Sequence, residues 1–460
     1  MDTDRSLHEE ILNKIKTKEN IDQAIQKLKK LQVAEIAEVI KPLSNEELLE
    51  VFVLLPVEKH GQIFAAFDIP RQLSFFRNVS KKWFAGVFEK MPSDDRADTF
   101  QQFTPHERTS LLIYLSKDVR EDVLCLSAYD YDTAGGIMST DFALIKESQS
   151  CEDALQHIRK DSPDEKMLYH LYVVDSDMKL VGYMTLKDLI IADPNESVKS
   201  RMHKEYISAS LEEDRESVAV KIEKYDLLTL PVLNEKGELM GIVHNDDAID
   251  VIRKEQTEDM EKFMGIIPGK EILNYNQITA VGHFRKRVIW LAILTVVGFA
   301  SGLIIQRYEE ALSTLMILAI YIPMVADTGG NSGSQAATVV IRAMALGQVS
   351  IKNWFKIMTK EINISVLLAG VLGLISFLMI IIISWQTDAT LPHSLGFIAF
   401  GISLALALQV ITATMIGAGL PLLVKQFGGD PAIAASPAIT TVVDITGLLI
   451  YFGVATLLFF

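Results

Sequence analysis

Apolar residues recur at spacings of three and four through residues 7 to about 128, as at Leu48, Leu49, Phe52 and Leu55 and again at Leu111, Leu112 and Leu115. That period lines up side chains on one face of an α-helix. Pro42, Pro56, Pro70, Pro92 and Pro105 interrupt it, each where a helix is expected to end or begin, because proline lacks an amide hydrogen and clashes with the preceding turn. An all-α domain of short helices is therefore predicted over 1–130, with Phe64, Phe67, Phe75, Phe76, Trp83 and Phe88 in its core. Beyond residue 284 the pattern changes to long runs. Residues 288–305, 362–385 and 394–424 carry no charge, 311–341 is interrupted by Asp327 and a glycine cluster, and 432–460 contains only Asp444. A hydrocarbon core about 30 Å thick takes about 20 apolar residues of helix. Five membrane-spanning helices are thus predicted over 284–460.

A repeat fills the interval between these regions. Residues 171–188 (LYVVDSDMKLVGYMTLKD) match residues 230–247 (LPVLNEKGELMGIVHNDD) at a constant offset of 59. Upstream, Met138 aligns with Met202 and Ile158 with Ile222 at an offset of 64, so the first copy carries a five-residue insertion near Pro163. Each copy is predicted to form a short strand, a helix, a strand, a turn holding Asp or Gly, a second strand and a closing helix. This pattern resembles a tandem pair of CBS domains, an α/β regulatory module, here over 137–200 and 201–256. In that family a Gly-x-x-Thr-x-x-Asp segment places Thr and Asp on a nucleotide, which implies that role for Thr185 and Asp188 after Gly182, with ATP or a relative as ligand. The second copy keeps Gly241 and Asp247 but has His244 where threonine is expected.

Charge divides the chain in the same place. Residues 284–460 hold nine Lys/Arg and seven Asp/Glu, whereas the remainder holds 35 Lys/Arg against 52 Asp/Glu, a net of −17. Such an excess attracts cations and argues against nucleic acid as a partner. Basic residues also set membrane orientation, since they are retained on the cytoplasmic side. Arg285, Lys286 and Arg287 precede the first span; Arg342, Lys352, Lys356 and Lys360 lie between the second and third; Lys425 lies between the fourth and fifth; and the loop at 386–393 has none. A cytoplasmic N-terminal region and an external C-terminus follow, in the plasma (inner) membrane. Cys125 and Cys151 alone fit a reducing compartment. No secretory leader is read at the N-terminus, so the later spans are expected to drive insertion.

An acidic side chain at membrane depth is a functional-site candidate by default. Asp444 sits within residues 436–447 (SPAITTVVDITG), near Thr440, Thr441 and Thr446, and Asp327 opens a polar stretch, DTGGNSGSQ. Irregular backbone is expected there, with freed carbonyls facing an ion; close packing through small residues is the competing explanation. Carboxylate, carbonyl and hydroxyl oxygens without His or Cys suit Mg²⁺ or Ca²⁺ and suit Zn²⁺ poorly. One Asp per chain is enough if two chains meet on a twofold axis. No nucleophile with a base partner and no phosphate-cradling Gly-Lys motif is found, so an enzyme is not expected.

The order of acidic helical domain, CBS pair, charged connecting helix at 257–283 and five spans resembles the MgtE family of Mg²⁺ channels. So do residues 329–335 (GGNSGSQ) and the run from Asp430-Pro-Ala through Thr-x-x-x-Asp444-x-x-Gly447. The resemblance implies a homodimer whose pore is lined by the second and fifth spans. Asp444 would be the central ion ligand, with Thr440 and Asn331 beside it and Asp430 at the cytoplasmic mouth. It also implies a regulatory sensor for cytosolic Mg²⁺ built from Asp94, Asp98, Asp214, Glu216, Asp226, Asp247, Asp250, Glu255, Glu258 and Asp259, which repel until Mg²⁺ bridges them. Negative feedback on the pore would follow. A divalent-cation carrier or exchanger, or a membrane-tethered sensor that conducts nothing, are the alternatives.

Overall fold

Ten α-helices, α1 to α10, follow one another between residues 2 and 126. The computed structural model describes residues 2–161, 170–269, 278–386, 392–434 and 436–460. The insertion near Pro163 lies outside the described residues. The chain forms two compact units, Met1–Arg253 and Lys254–Phe460.

In the first unit, the prolines start and stop helices as expected. Pro70 and Pro105 sit in the first turns of α6 (Ile69–Asn78) and α9 (Pro105–Leu112), and Pro92 caps α8 (Ser93–Gln101). Ser44 and Thr104 close reciprocal capping boxes with Glu47 and Glu107, satisfying amides that the helix itself leaves unpaired. The expected aromatic residues do form the core: Phe64, Phe67, Phe75, Phe76 and Phe88 are buried, with Trp83 packed against them. Phe64 and Phe84 meet edge to face at 5.2 Å.

The two repeat copies fold alike. β1 (Ala143–Lys146) pairs parallel with β2 (Leu171–Val174), which pairs antiparallel with β3 (Leu180–Met184). β4 (Ala209–Ser210), β5 (Thr229–Leu233) and β6 (Leu239–His244) repeat that order. The offset of 59 survives in the register, with Leu171 opposite Met184 and Leu230 opposite Val243. α8 is joined to this sheet region by buried polar groups. The Ser93 amide donates to Asp141 at 2.9 Å and the Ser93 hydroxyl meets that of Ser139 at 2.8 Å. Asp122 on α10 (Lys117–Leu126) accepts from Arg96 at 2.9 Å and from Thr140 at 2.6 Å. Ala97 and Leu126 share a core with Val218, Leu230 and Val243 of the second copy.

The closing helix of the second copy, α15 (Asn245–Phe263), carries the chain onward. The family resemblance implies a connecting helix over 257–283, of which residues 270–277 lie outside the described residues. The helix instead ends at Phe263, because Gly265 takes a left-handed φ of 69° and the Ile266 amide turns back to the Glu261 carbonyl. Such a glycine stop satisfies the last carbonyls and ends the helix.

The second unit is helical. Among its described residues, Ala280–Arg307 (α16), Ile351–Ser384, Leu395–Gln426 (α20) and Ser436–Phe459 (α21) are long and apolar enough to cross a membrane. α19 begins at Trp354 within the second of these. The expected second span forms α18 (Ile317–Ala345), 29 residues long, but its polar stretch keeps it out of that group. The short helix α17 (Glu309–Thr314) is separate from it. α18, α20 and α21 enclose the buried centre of the unit.

Candidate ion path and acidic sensor

α18 runs as continuous α-helix through DTGGNSGSQ. The irregular backbone expected there is absent, because a continuous helix satisfies its own amides and carbonyls where water is scarce. The glycines serve packing instead. A Cβ on Gly333 would lie 3.0 Å from the Ala413 carbonyl oxygen, and one on Gly417 would lie 2.9 Å from the Gly333 Cα, so α18 and α20 approach backbone to backbone. Ser332 and Thr414 share a hydrogen bond of 2.8 Å across that contact.

The other face of α18 is polar. Asp327, Asn331 and Gln335 follow at intervals of four and all three are exposed in the single chain, which stacks them in one row. Asp444 on α21 is half-buried, and its carboxylate is repelled by that of Asp327. Thr440 lies one turn before it. Its hydroxyl donates to the Ser436 carbonyl at 3.0 Å and lies 3.4 Å from the Ser334 hydroxyl, so that side chain is engaged within the bundle. Ser436 and Ser334 themselves meet at 3.0 Å.

Asp430 occupies the turn before α21. Its Oδ1 accepts from the Ala432 amide at 2.9 Å, and its Oδ2 accepts from the Lys262 ammonium at 2.7 Å. Lys262 also pairs with Glu258 at 2.7 Å. Asp259 is pushed up to about 6, by burial first and then by the neighbouring charge of Asp430. Glu255 adds to the same repulsion. Lys262 was not singled out from the sequence, although Glu258 four residues earlier is the helical ion-pair spacing that signals it. Glu361 was missed as well. It sits one residue outside the uncharged run read from the sequence, yet it is buried inside α19.

In the first unit Asp94 lies within electrostatic reach of Asp98 and Asp247. Asp94, in the first turn of α8, is raised well above the ordinary carboxylate range by burial, then by the like charges of Asp95, Asp247 and Asp98. Desolvation and like charge both disfavour ionisation. The other expected sensor residues are dispersed. Asp214 caps α14 (Arg215–Lys224), accepting from the Glu216 amide at 2.9 Å, whereas Asp226 follows the far end of that helix. Ten residues of helix separate the two ends by about 15 Å. Asp214, Glu216, Asp226 and Asp250 are exposed in the single chain. Among the described residues, no three Asp, Glu, His or Cys side chains converge to hold a metal ion. Thr185 and Asp188 form a capping box at the start of α12 (Leu186–Ile191), with a hydroxyl to carboxylate distance of 2.6 Å. Asp188 also meets His203 at 3.2 Å.

Family comparison matches residues 322–454 to a divalent cation transporter, MgtE; residues 31–132 to the MgtE intracellular N domain; and residues 134–195 and 197–254 to CBS domains. The magnesium transporter MgtE of Thermus thermophilus is 32% identical over 95% of this chain and 98% of its own length. The chain belongs to the MgtE family. The MgtE of Bacillus subtilis is also 32% identical, over 93% of this chain and 92% of its own. Among solved structures, the soluble part of a magnesium transporter superposes with a TM-score of 0.50 at 24% identity, covering 55% of this chain and 99% of that one, which establishes a shared fold. As in other MgtE proteins, a helical intracellular domain and a CBS pair precede a membrane region.

Proposed function

We propose that this MgtE chain forms, as a homodimer, a Mg²⁺-selective pore closed by cytosolic Mg²⁺. The observation that carries the reading is the half-buried carboxylate of Asp444 within electrostatic reach of the exposed Asp327, in a unit of apolar helices. Two like charges at membrane depth are costly unless a cation or its hydration water offsets them. Around a twofold axis the pair becomes a ring matched to a hydrated divalent ion, which Mg²⁺ favours because it loses water reluctantly. α18 serves as the fifth crossing, its row of Asp327, Asn331 and Gln335 turned to the pore rather than to lipid. With five crossings and a cytoplasmic N-terminus, the C-terminus is external.

The sensor is the remaining acidic set. The oxygen-only donors at Asp94, Asp98 and Asp247 suit a hard divalent cation, which would offset their mutual repulsion. Asp214, Glu216, Asp226 and Asp250 are completed by the other chain of the homodimer. At the mouth, Glu255, Glu258, Asp259 and Asp430 hold a further ion. High cytosolic Mg²⁺ stabilises the closed arrangement and low Mg²⁺ releases it, because a ligand shifts such an equilibrium by its differential affinity for the two states. Thr185 and Asp188 contact a nucleotide such as ATP in the first CBS copy. Mg²⁺ flux into liposomes holding the purified chain tests the reading. Selective flux that declines as Mg²⁺ rises on the cytoplasmic face is expected; absence of flux would leave a tethered sensor.

A further inference from the structure

Gln409 lies in the middle of α20, in a run without charge, and is completely buried. An amide in such surroundings is unfavourable unless its hydrogen bonds are met. Its Nε2 donates to the Val443 carbonyl at 2.8 Å. Val443 immediately precedes Asp444, and the Thr446 hydroxyl donates to the same carbonyl at 3.1 Å. The Gln409 Oε1 is buried without a hydrogen-bond partner.

The slot for this amide is made by two glycines. A Cβ on Gly447 of α21 would lie 2.7 Å from the Gln409 Cδ, and one on Gly329 of α18 would lie 2.9 Å from its Cγ. A methyl at either position would displace the amide from its slot. Gly329 opens the GGNSGSQ motif and Gly447 closes the motif around Asp444. The two motif glycines therefore converge on a residue that belongs to neither motif.

We propose that Gln409 is a positioning residue for the ion path: it grips the backbone of α21 at the turn carrying Asp444 and fixes the rotation that presents this carboxylate to the ion. The buried face of α21 at Val443 and Gly447 rests on the amide, so Asp444, about 100° further round the helix than Val443, is aimed away from α20. A ligand must be held within about 0.5 Å of its productive place to discriminate between ions. A three-way contact between α18, α20 and α21 supplies that constraint where a loop would not. This inference rests on the reading of Asp444 as the ion ligand.

The test uses the full chain in liposomes, with Mg²⁺ and Ca²⁺ flux and thermal unfolding measured in parallel. Gln409→Leu keeps the volume and loses the donor. It is expected to raise the Mg²⁺ concentration for half-maximal flux, or to reduce selectivity over Ca²⁺, by about fivefold, the equivalent of one net hydrogen bond, while the unfolding temperature stays near that of the unaltered chain. Gly447→Ala is expected to abolish most flux, and Gly447→Ala combined with Gln409→Ala to restore it only to the level of Gln409→Ala alone, because the collision is removed and the grip is not. Unchanged half-saturation and selectivity in Gln409→Leu, or no restoration in the double variant, would overturn the proposal. Should Gln409→Leu fail to fold, the glycine pair decides alone. Asp444→Asn in the same assay separates the two readings: loss there with an unaltered Gln409→Leu refutes the positioning role only, and normal flux there refutes the ion path itself.

Discussion

The acidic centre of the first unit and that of the second use the same chemistry in opposite settings. Asp94 and Asp444 are both half-buried carboxylates that face like charges, Asp247 in one case and Asp327 in the other. Around Asp94 the support is polar: Ser93 joins α8 to Ser139 and Asp141 before β1 by hydrogen bonds, and Asp122 of α10 bridges Arg96 of α8 and Thr140 of that segment. Around Asp444 the support is steric: glycines bring α18 and α20 into backbone contact, and the Gln409 side chain fills the slot between Gly329 of α18 and Gly447 of α21. Polar links can be exchanged for water when a domain moves, at a net change of about 1 kcal/mol each. Interdigitated backbones cannot separate without opening a void. The first centre is thus suited to respond to an ion and the second to hold its shape while ions pass.

The largest expected effect is in the rigid centre. Asp444→Asn should lower Mg²⁺ flux or selectivity by about a hundredfold, the upper end of what loss of a metal's supporting partner costs, with an unchanged unfolding temperature. Normal selective flux would remove Asp444 from the path. Next, Gly417→Leu should destabilise the membrane unit by about 2 kcal/mol or more, as overpacking does, seen as a lower unfolding temperature in detergent. The same change at Gly453, where an added Cβ meets nothing, should be nearly neutral. Equal effects at both positions would argue against close backbone packing.

Smaller effects separate the responsive centre from ordinary surface charge by the sign of their pH dependence. Asp94 has a raised pKa in the folded chain, so its contribution to stability is complete below the ordinary carboxylate range and is lost as pH rises through its folded value. Asp94→Asn should therefore gain stability relative to the unaltered chain as pH increases in Mg²⁺-free buffer, and added Mg²⁺ should erase the gain. Glu107 is the counter-case. Its hydrogen bond from Arg77, then that from the Thr104 amide, lowers it to about 2, so its contribution is present above the ordinary carboxylate value and is lost as pH falls toward 2. Glu107→Gln should cost under about 1 kcal/mol near pH 7, as an exposed pair does, and flatten the acid limb of unfolding. Parallel pH profiles for the two variants would break the distinction between the centres.

Much of this arrangement was legible in the sequence. The proline spacing marked helix starts, the offset of 59 reappeared in strand register, and Asp444 stood out because nothing else in its run is charged. What escaped was information carried by packing. The glycine stretch read as an irregular ion-facing segment, yet one face of it packs against α20 while the other presents Asp327, Asn331 and Gln335. Gln409 was invisible to a search for charges, although a single amide in an apolar run is the same kind of signal at lower contrast. The end of α15 at Phe263 depends on one glycine whose φ no periodicity reveals. The dispersal of Asp214 and Asp226 to opposite ends of α14 follows from helix length, which their shared acidity concealed.

In the proposed mechanism cytosolic Mg²⁺ closes a pore whose ligand is Asp444 by relieving repulsion centred on Asp94. Electrical recording from the purified chain in a bilayer, with Mg²⁺ varied on the cytoplasmic face, tests it directly. Unitary Mg²⁺ currents are expected whose open probability declines as cytoplasmic Mg²⁺ rises, with a shallower decline in a chain carrying Asp94→Asn and Asp247→Asn together. Currents indifferent to cytoplasmic Mg²⁺, or an identical decline in that double variant, would contradict it.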